Sequence, residues 1–96
     1  MRKLVVAAIG LVSIVAATAA SAQPPAGAAS CSGCHPASTR VTSPVLRLVG
    51  VDRAAIVKAM QDFRSGQRPA TVMDRIAKGF TDDEIQAIAA WLATQR

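Results

Sequence analysis

The segment Cys31-Ser32-Gly33-Cys34-His35 constrains this chain more than any other feature of its sequence. Two thiols at this spacing lie about one helical turn apart, and a histidine directly follows the second. This is the C-x-x-C-H pattern of haem attachment, in which both thiols bond to one porphyrin and the next imidazole binds the iron. We therefore predict one covalently bound haem c, held by Cys31 and Cys34, with His35 as the proximal iron ligand.

Other uses of the two cysteines fit the sequence less well. A thioredoxin-like dithiol needs a βαβ pattern nearby, and a zinc site needs four ligands. His35 is the only histidine, and the chain has no cysteine outside the motif. A disulfide across two intervening residues would close little chain and would therefore stabilise little.

The first residues have the pattern of an export signal. Arg2 and Lys3 precede an uncharged apolar run, and the small residues at 20–22 suit a signal peptidase. We predict a signal peptide over residues 1–22, and hence a periplasmic protein without a membrane anchor after cleavage. A retained anchor is the alternative, but the apolar run is shorter than the roughly 20 residues that a spanning helix needs.

The charge of the chain argues against nucleic acid as a partner. Its formal net charge is +5, and loss of Arg2 and Lys3 with the signal peptide would lower this to +3. A nucleic-acid surface would instead need a dense basic stripe.

Helical periodicity dominates the rest of the chain, and no strand-like alternation occurs. Residues 23–30 are rich in Pro, Ala and Gly, and we predict that they form a flexible lead-in to a single domain over residues 31–96. Asp52 is a favourable N-cap, and Ser65-Gly66 ends the helix that follows it. A short helix is expected over residues 72–78. The final helix begins with a capping box formed by Thr81 and Glu84. Its apolar periodicity predicts a buried face formed by Ile85, Ile88, Ala89 and Leu92.

We therefore predict an all-α domain of three to four short helices around the haem. A domain this small usually needs a cofactor to complete its core, so the haem-free chain should be largely unfolded. The apolar residues expected to surround the ring are Leu46, Leu48, Val49, Val51, Ile56, Phe63, Val72, Ile76 and Phe80.

The distal iron ligand is predicted to be Met73. A thioether suits an electron carrier because it raises the reduction potential relative to a harder donor. Met73 follows a proline-containing loop between the two C-terminal helices, whereas Met60 lies on an apolar helix face that is typical of core residues. Met60, Lys58 or Lys78, and an open sixth position, stay as alternatives.

The motif, a later proline, the distal methionine and a final helix with an aromatic residue together resemble the class I cytochromes c. This resemblance covers nearly all of the chain after residue 22. It implies that the carbonyl of Pro44 accepts a hydrogen bond from His35 and so orients the ring. It also implies that Trp91 packs against the first helix, although Pro24-Pro25 should shorten that helix and reduce the contact.

Residues 64–79, RSGQRPATVMDRIAKG, and the FTDDEI that follows resemble the cytochrome subunit of flavocytochrome c sulfide dehydrogenase. The resemblance again implies Met73 as the distal ligand. It further implies a periplasmic complex in which a flavoprotein subunit oxidises sulfide and the haem subunit passes the electrons to a downstream acceptor. Many members of that family have two haem domains, whereas this chain has one motif.

These features predict a protein that transfers single electrons and has no catalytic residues of its own. The sequence contains no evident nucleophile–base pair or pair of catalytic acids. A freely diffusing cytochrome is the first alternative to a bound subunit. A haem-based sensor or ligand-binding protein, which needs an open sixth position, is the alternative from another class, and a thiol redox protein is a more distant one.

Overall fold

The fold is entirely helical in the part of the chain that a computed structural model describes, residues 23–96. Four helices follow one another as α1 (Ala28–Cys31), α2 (Arg53–Ser65), α3 (Met73–Ala77) and α4 (Asp82–Thr94). Residues 23–96 contain no β-strand. The predicted all-α class is therefore confirmed, while the predicted signal peptide lies outside the described residues.

Helix α2 begins and ends where local side-chain chemistry predicts. The Asp52 carboxylate accepts a hydrogen bond from the backbone N–H of Ala55 at 3.1 Å, which satisfies one of the unpaired donors of the first turn. At the other end, Gly66 has a φ of +81° and donates its N–H to the carbonyl of Phe63. A positive φ at the C-terminal end is inexpensive only for glycine, so the helix stops there.

Helix α4 has the predicted capping residue and the predicted buried face. The hydroxyl of Thr81 accepts a hydrogen bond from the N–H of Glu84 at 3.2 Å, and the same hydroxyl lies 3.2 Å from the Glu84 carboxylate. Three acidic residues occupy the first turn, where the positive end of the helix dipole stabilises them. The buried residues of this helix are Ile85, Ile88, Ala89 and Leu92.

The two remaining helices are short for identifiable reasons. Helix α1 is a single turn that follows Gly27 (φ +84°), and its first N–H, that of Ala28, donates to the carbonyl of Pro25 at 3.0 Å. The prolines before it prevent an earlier start, as the sequence predicted. Helix α3 has five residues and lies inside the range 72–78 expected for it.

The hydrophobic core is small and joins α1, α2 and α4. Its buried members are Ala28, Ile56, Ile88, Ala89 and Leu92, and Trp91 is among the partly buried residues that pack against them. Because Ala28 belongs to this cluster, the one-turn helix α1 still packs into the core despite its length. None of the larger side chains in residues 23–96 is fully buried. The core is therefore modest for a domain of this size.

The segment between α1 and α2, residues 32–52, contains no helix, yet it is attached to the core. Leu48, Val49 and Val51 pack against the buried cluster. The N–H of Gly50 donates to the carbonyl of Leu92 in α4 at 3.0 Å. These contacts bring the middle of the segment back across the helices and position its earlier part beside the C-x-x-C-H motif.

Candidate haem site

The C-x-x-C-H motif forms one compact turn at the end of α1. The carbonyl of Cys31 accepts hydrogen bonds from the N–H of Cys34 at 3.2 Å and from the N–H of His35 at 2.9 Å. A Cβ added to Gly33 would lie 3.2 Å from the carbonyl of Ser30, so the tight turn favours glycine. Cys31, Cys34 and His35 all line the same cavity. The turn thus brings two thiols and an imidazole to one site, as attachment of a single porphyrin requires.

The two thiols differ in their surroundings. Both cysteines are free; Cys31 is half-buried and Cys34 is exposed. Burial raises the pKa of the Cys31 thiol above its ordinary value, because the charged thiolate loses solvation there, and a hydrogen bond from the backbone only partly opposes this. Neither thiol is consumed by a disulfide, so both are available to bond to a cofactor.

The imidazole of His35 is oriented by a backbone carbonyl. Its Nδ1 atom lies 2.5 Å from the carbonyl oxygen of Leu46. A carbonyl oxygen can only accept a hydrogen bond, so Nδ1 carries the proton and Nε2 is left with its lone pair free to bind a metal. A hydrogen bond from the ring nitrogen that does not bind the metal fixes both the tautomer and the ring orientation of a metal-binding histidine.

The identity of that carbonyl differs from the sequence expectation. The resemblance to class I cytochromes c implied the carbonyl of Pro44, whereas in the structure the acceptor belongs to Leu46. The N–H of Val45 donates to the hydroxyl of Ser43 at 3.1 Å, so the chain turns around Pro44. The imidazole consequently meets the carbonyl two residues further along.

A cavity of about 530 Å³ lies against this turn, and all four helices contribute to its walls. Most of the lining side chains are apolar. Five residues that were predicted to surround the ring line it: Leu48, Ile56, Val72, Ile76 and Phe80. Leu46, Val49, Val51 and Phe63 were predicted as well but do not line it.

The sequence interpretation missed part of the wall. Ile85, Ile88 and Leu92 line the cavity from α4, although the sequence predicted only that this face is buried. Val45 and Thr71 also line the cavity and had not been proposed. The apolar periodicity of α4 was the one feature of the sequence that could have indicated these wall residues, because one apolar face can border both a core and an adjoining cavity.

Both candidate methionines line the cavity, and they differ in what else they contact. Met60 lies within α2 and packs against the buried core. Met73 is the first residue of α3, directly after the loop that leaves α2. The cavity therefore combines a thiol pair, one imidazole and thioether sulfurs within apolar walls, which is a donor set suited to haem iron.

The same part of the chain offers no competing metal site. Within residues 23–96, no group of three or more His, Cys, Asp and Glu side chains is arranged to hold a metal ion. Among those residues, no helix combines the length and the hydropathy that crossing a membrane requires.

Comparison with known proteins finds cytochromes. The chain is 40% identical over 62 residues to the cytochrome subunit of sulfide dehydrogenase from Chlorobaculum tepidum, covering 65% of this chain and 56% of that protein. It is 38% identical over 67 residues to the thiosulfate dehydrogenase electron acceptor of Stutzerimonas stutzeri, covering 68% of this chain and 31% of that protein. Over 100 aligned positions it is 30% identical to cytochrome c4 of Pseudomonas aeruginosa, covering 100% of this chain and 50% of that protein. No family model matches the chain.

The helical fold, the C-x-x-C-H turn and these three relatives place the chain among the class I c-type cytochromes. Within that class the chain resembles the cytochrome subunit of sulfide dehydrogenase. The chain matches only part of each relative: 56% of the length of the sulfide dehydrogenase subunit, 31% of the thiosulfate dehydrogenase electron acceptor and 50% of cytochrome c4.

Proposed function

We propose that this chain binds one haem c through thioether bonds from Cys31 and Cys34, with His35 as proximal and Met73 as distal ligand, and transfers single electrons. One observation carries the proposal. The two thiols, the oriented imidazole and Met73 line the same apolar cavity although Met73 is 38 positions from His35 in the sequence. When bound, haem supplies an iron that gains and loses one electron.

The residues of the chain would tune that iron in three ways. The Leu46 carbonyl keeps His35 in one tautomer and increases the basicity of its free nitrogen. The thioether of Met73 favours the reduced state relative to a harder donor. The apolar walls limit solvent access, and a low local dielectric disfavours the extra charge of the oxidised centre.

Met73 is a better candidate than Met60 for the distal ligand because of where each is held. Met60 lies on a helix face that packs against the core, and it would have to leave those contacts to reach a metal. Met73 begins a five-residue helix after a loop, where a change in backbone position can bring its sulfur to the ring. Lysine ligation or an open position stays as the alternative.

We further propose that the protein is the periplasmic haem subunit that accepts electrons from a sulfide-oxidising flavoprotein and passes them to a downstream acceptor. Two relatives are named as a subunit or an electron acceptor of dehydrogenases of sulfur compounds. Val41 and Leu46 are 56% and 67% exposed and do not line the cavity, so a bound haem would not cover them as part of its wall. A contiguous apolar patch outside the cavity would suit a lasting interface.

A freely diffusing carrier is the alternative within the same class. Such a carrier would be expected to present basic side chains around the haem edge for transient encounters. Lys58 and Lys78 are the only lysines beyond Lys3, so arginines would have to supply that charge.

The ligand assignment is tested with two matched variants, Met73→Ala and Met60→Ala. We expect Met73→Ala to lose the low-spin spectrum and to bind carbon monoxide readily when reduced, because it opens the sixth position. Met60→Ala should keep the low-spin spectrum and lose only stability. A low-spin spectrum for Met73→Ala would refute the assignment. Carbon monoxide binding by the unaltered reduced protein at neutral pH would instead favour a ligand-binding function.

The mode of attachment and the partner are tested separately. Haem should stay with the chain after extraction with acidified acetone, whereas Cys31→Ala combined with Cys34→Ala should release it. Affinity purification of the tagged protein from its own periplasm should recover flavin absorption beside the haem bands, and sulfide should reduce the haem of that preparation. Purification of haem alone, with no reduction by sulfide, would favour the free carrier.

A further inference from the structure

The side chain of Arg64 connects the end of α2 to the start of α4. Its Nη1 donates to the Asp82 carboxylate at 2.6 Å, and its Nη2 donates to the backbone carbonyl of Phe80 at 2.7 Å. The Arg64 side chain is 31% exposed, whereas that of Asp82 is 73% exposed. The bond to the partly buried carbonyl is therefore less screened by solvent than the ion pair.

These two hydrogen bonds close the segment that contains Met73. This segment, residues 65–79, runs from the end of α2 at Ser65 to Phe80, and it contains α3. Closing the ends of a flexible segment restricts the positions open to its middle, because most of the loop-closure entropy is then already lost. Arg64 thus limits how far Met73 can move from the cavity. It does so through its hydrogen bonds to Asp82 and Phe80 and not through a bond to Met73.

Phe80 extends this connection to the other side of the site. Its ring lines the cavity, and its Cε1 atom would lie 2.6 Å from a Cβ placed on Gly27, which shows how closely the ring packs on that residue. Gly27 directly precedes α1, the turn that ends in Cys31. The Arg64 side chain therefore restrains the segment that contains Met73 and, through Phe80, contacts the residue that precedes the helix ending in Cys31.

We propose that Arg64 is a positioning residue that keeps Met73 at the iron. This inference rests on the haem site proposed above. Without Arg64, the segment 65–79 gains conformations in which the methionine is displaced, so an added ligand competes for the sixth position more successfully. Arg64 would thus set how tightly Met73 is held at the iron without changing the atoms that bind the iron.

The test is an equilibrium titration of the ferric holo-protein with imidazole, followed by absorbance. Arg64→Ala should bind imidazole about tenfold more tightly than the unaltered protein, a change equivalent to about 1.4 kcal/mol. Asp82→Asn, which removes the charge of the exposed ion pair but leaves the bond from Arg64 to the Phe80 carbonyl, should increase the affinity about twofold. Arg64→Lys keeps the charge but lacks the planar fork that aims two N–H donors at two separate acceptors, and should give an intermediate affinity.

Arg53→Ala is the matched control, because Arg53 also lies on α2 and also reaches α4, where its Nη2 donates to Oε1 of Gln86 at 2.9 Å outside the closed segment. Its imidazole affinity should equal that of the unaltered protein. Should Arg64→Ala yield no holo-protein, Arg64→Gln replaces it with the same expected direction. Unchanged imidazole affinity at temperatures well below the unfolding midpoint, even with a lower midpoint, would overturn the inference and leave only a structural role.

A failure of the haem proposal would look different. In that case the unaltered protein would itself lack the spectrum of methionine-ligated haem. A methionine-ligated unaltered protein whose Arg64 variants bind imidazole normally would refute the role of Arg64 alone.

Discussion

Replacing Gly27 with alanine should destabilise the holo-protein by about 2–5 kcal/mol, for two separable reasons. Gly27 has a φ of +84°, and a left-handed conformation costs a residue with a Cβ about 1–2 kcal/mol. The new Cβ would also lie 2.6 Å from Cε1 and 3.3 Å from Cζ of Phe80, so the ring must move. Forced movement in a packed region adds about 1–3 kcal/mol.

Gly66→Ala is the matched control, because it isolates the backbone cost. Gly66 has nearly the same φ, +81°, but nothing lies within 4 Å of its added Cβ. This variant should therefore lose only about 1–2 kcal/mol. The difference between the two variants measures the contact between Gly27 and the Phe80 ring.

The assay is equilibrium unfolding of both holo-protein variants in guanidinium chloride, with thermal unfolding as a second measurement. Each kcal/mol should lower the melting temperature by about 4–8 °C in a domain of this size. In Gly27→Ala combined with Phe80→Leu, the smaller side chain should recover part of the loss, so the two changes should not be additive. Equal destabilisation by Gly27→Ala and Gly66→Ala would refute the argument from the ring contact.

Three further outcomes are expected. Thr81→Ala should cost about 1 kcal/mol in holo-protein unfolding, since the first turn of α4 loses its capping hydroxyl; no change would argue against that cap. Ile88→Ala should cost about 2–5 kcal/mol, because Ile88 is buried and lines the cavity, and a much smaller loss would indicate that the wall closes around the gap. In the haem-free chain, Cys31 and Cys34 should react with iodoacetamide at similar rates near pH 8, as expected of an unfolded chain. A folded chain would show slower reaction at Cys31, because its raised pKa leaves less reactive thiolate until the pH rises further, so a lag at Cys31 would contradict an unfolded apo-protein.

Local features of this protein could be predicted because their causes lie within a few residues of one another. The C-x-x-C-H spacing sets the thiols and the imidazole on one turn, and that turn appears at the end of α1. Asp52 and Gly66 define the ends of α2 through a cap and a left-handed residue. Such interactions depend on the backbone of a single helix end, so the sequence contains nearly all the information that they need.

Long-range features depended on how the segments meet. The partner of His35 is the carbonyl of Leu46 because of the path that the chain takes around Pro44, and a motif resemblance does not specify that path to within two residues. Phe63 was expected at the ring but lies outside the cavity wall, whereas Ile88 forms part of it. Periodicity predicts which face of a helix is apolar, but only packing decides whether that face borders another helix or a cavity.

The sequence by itself therefore determined the chemistry of the site and the helices that present it, since thiol spacing, capping residues and apolar periodicity act over one or two turns. Only the tertiary structure decided that Arg64 closes the segment of Met73 and that Phe80 packs against Gly27. Residues 27 and 80 are far apart in the chain, and no local rule relates them. Their contact exists because the small core brings α1, α2 and α4 together, which is a property of the whole fold.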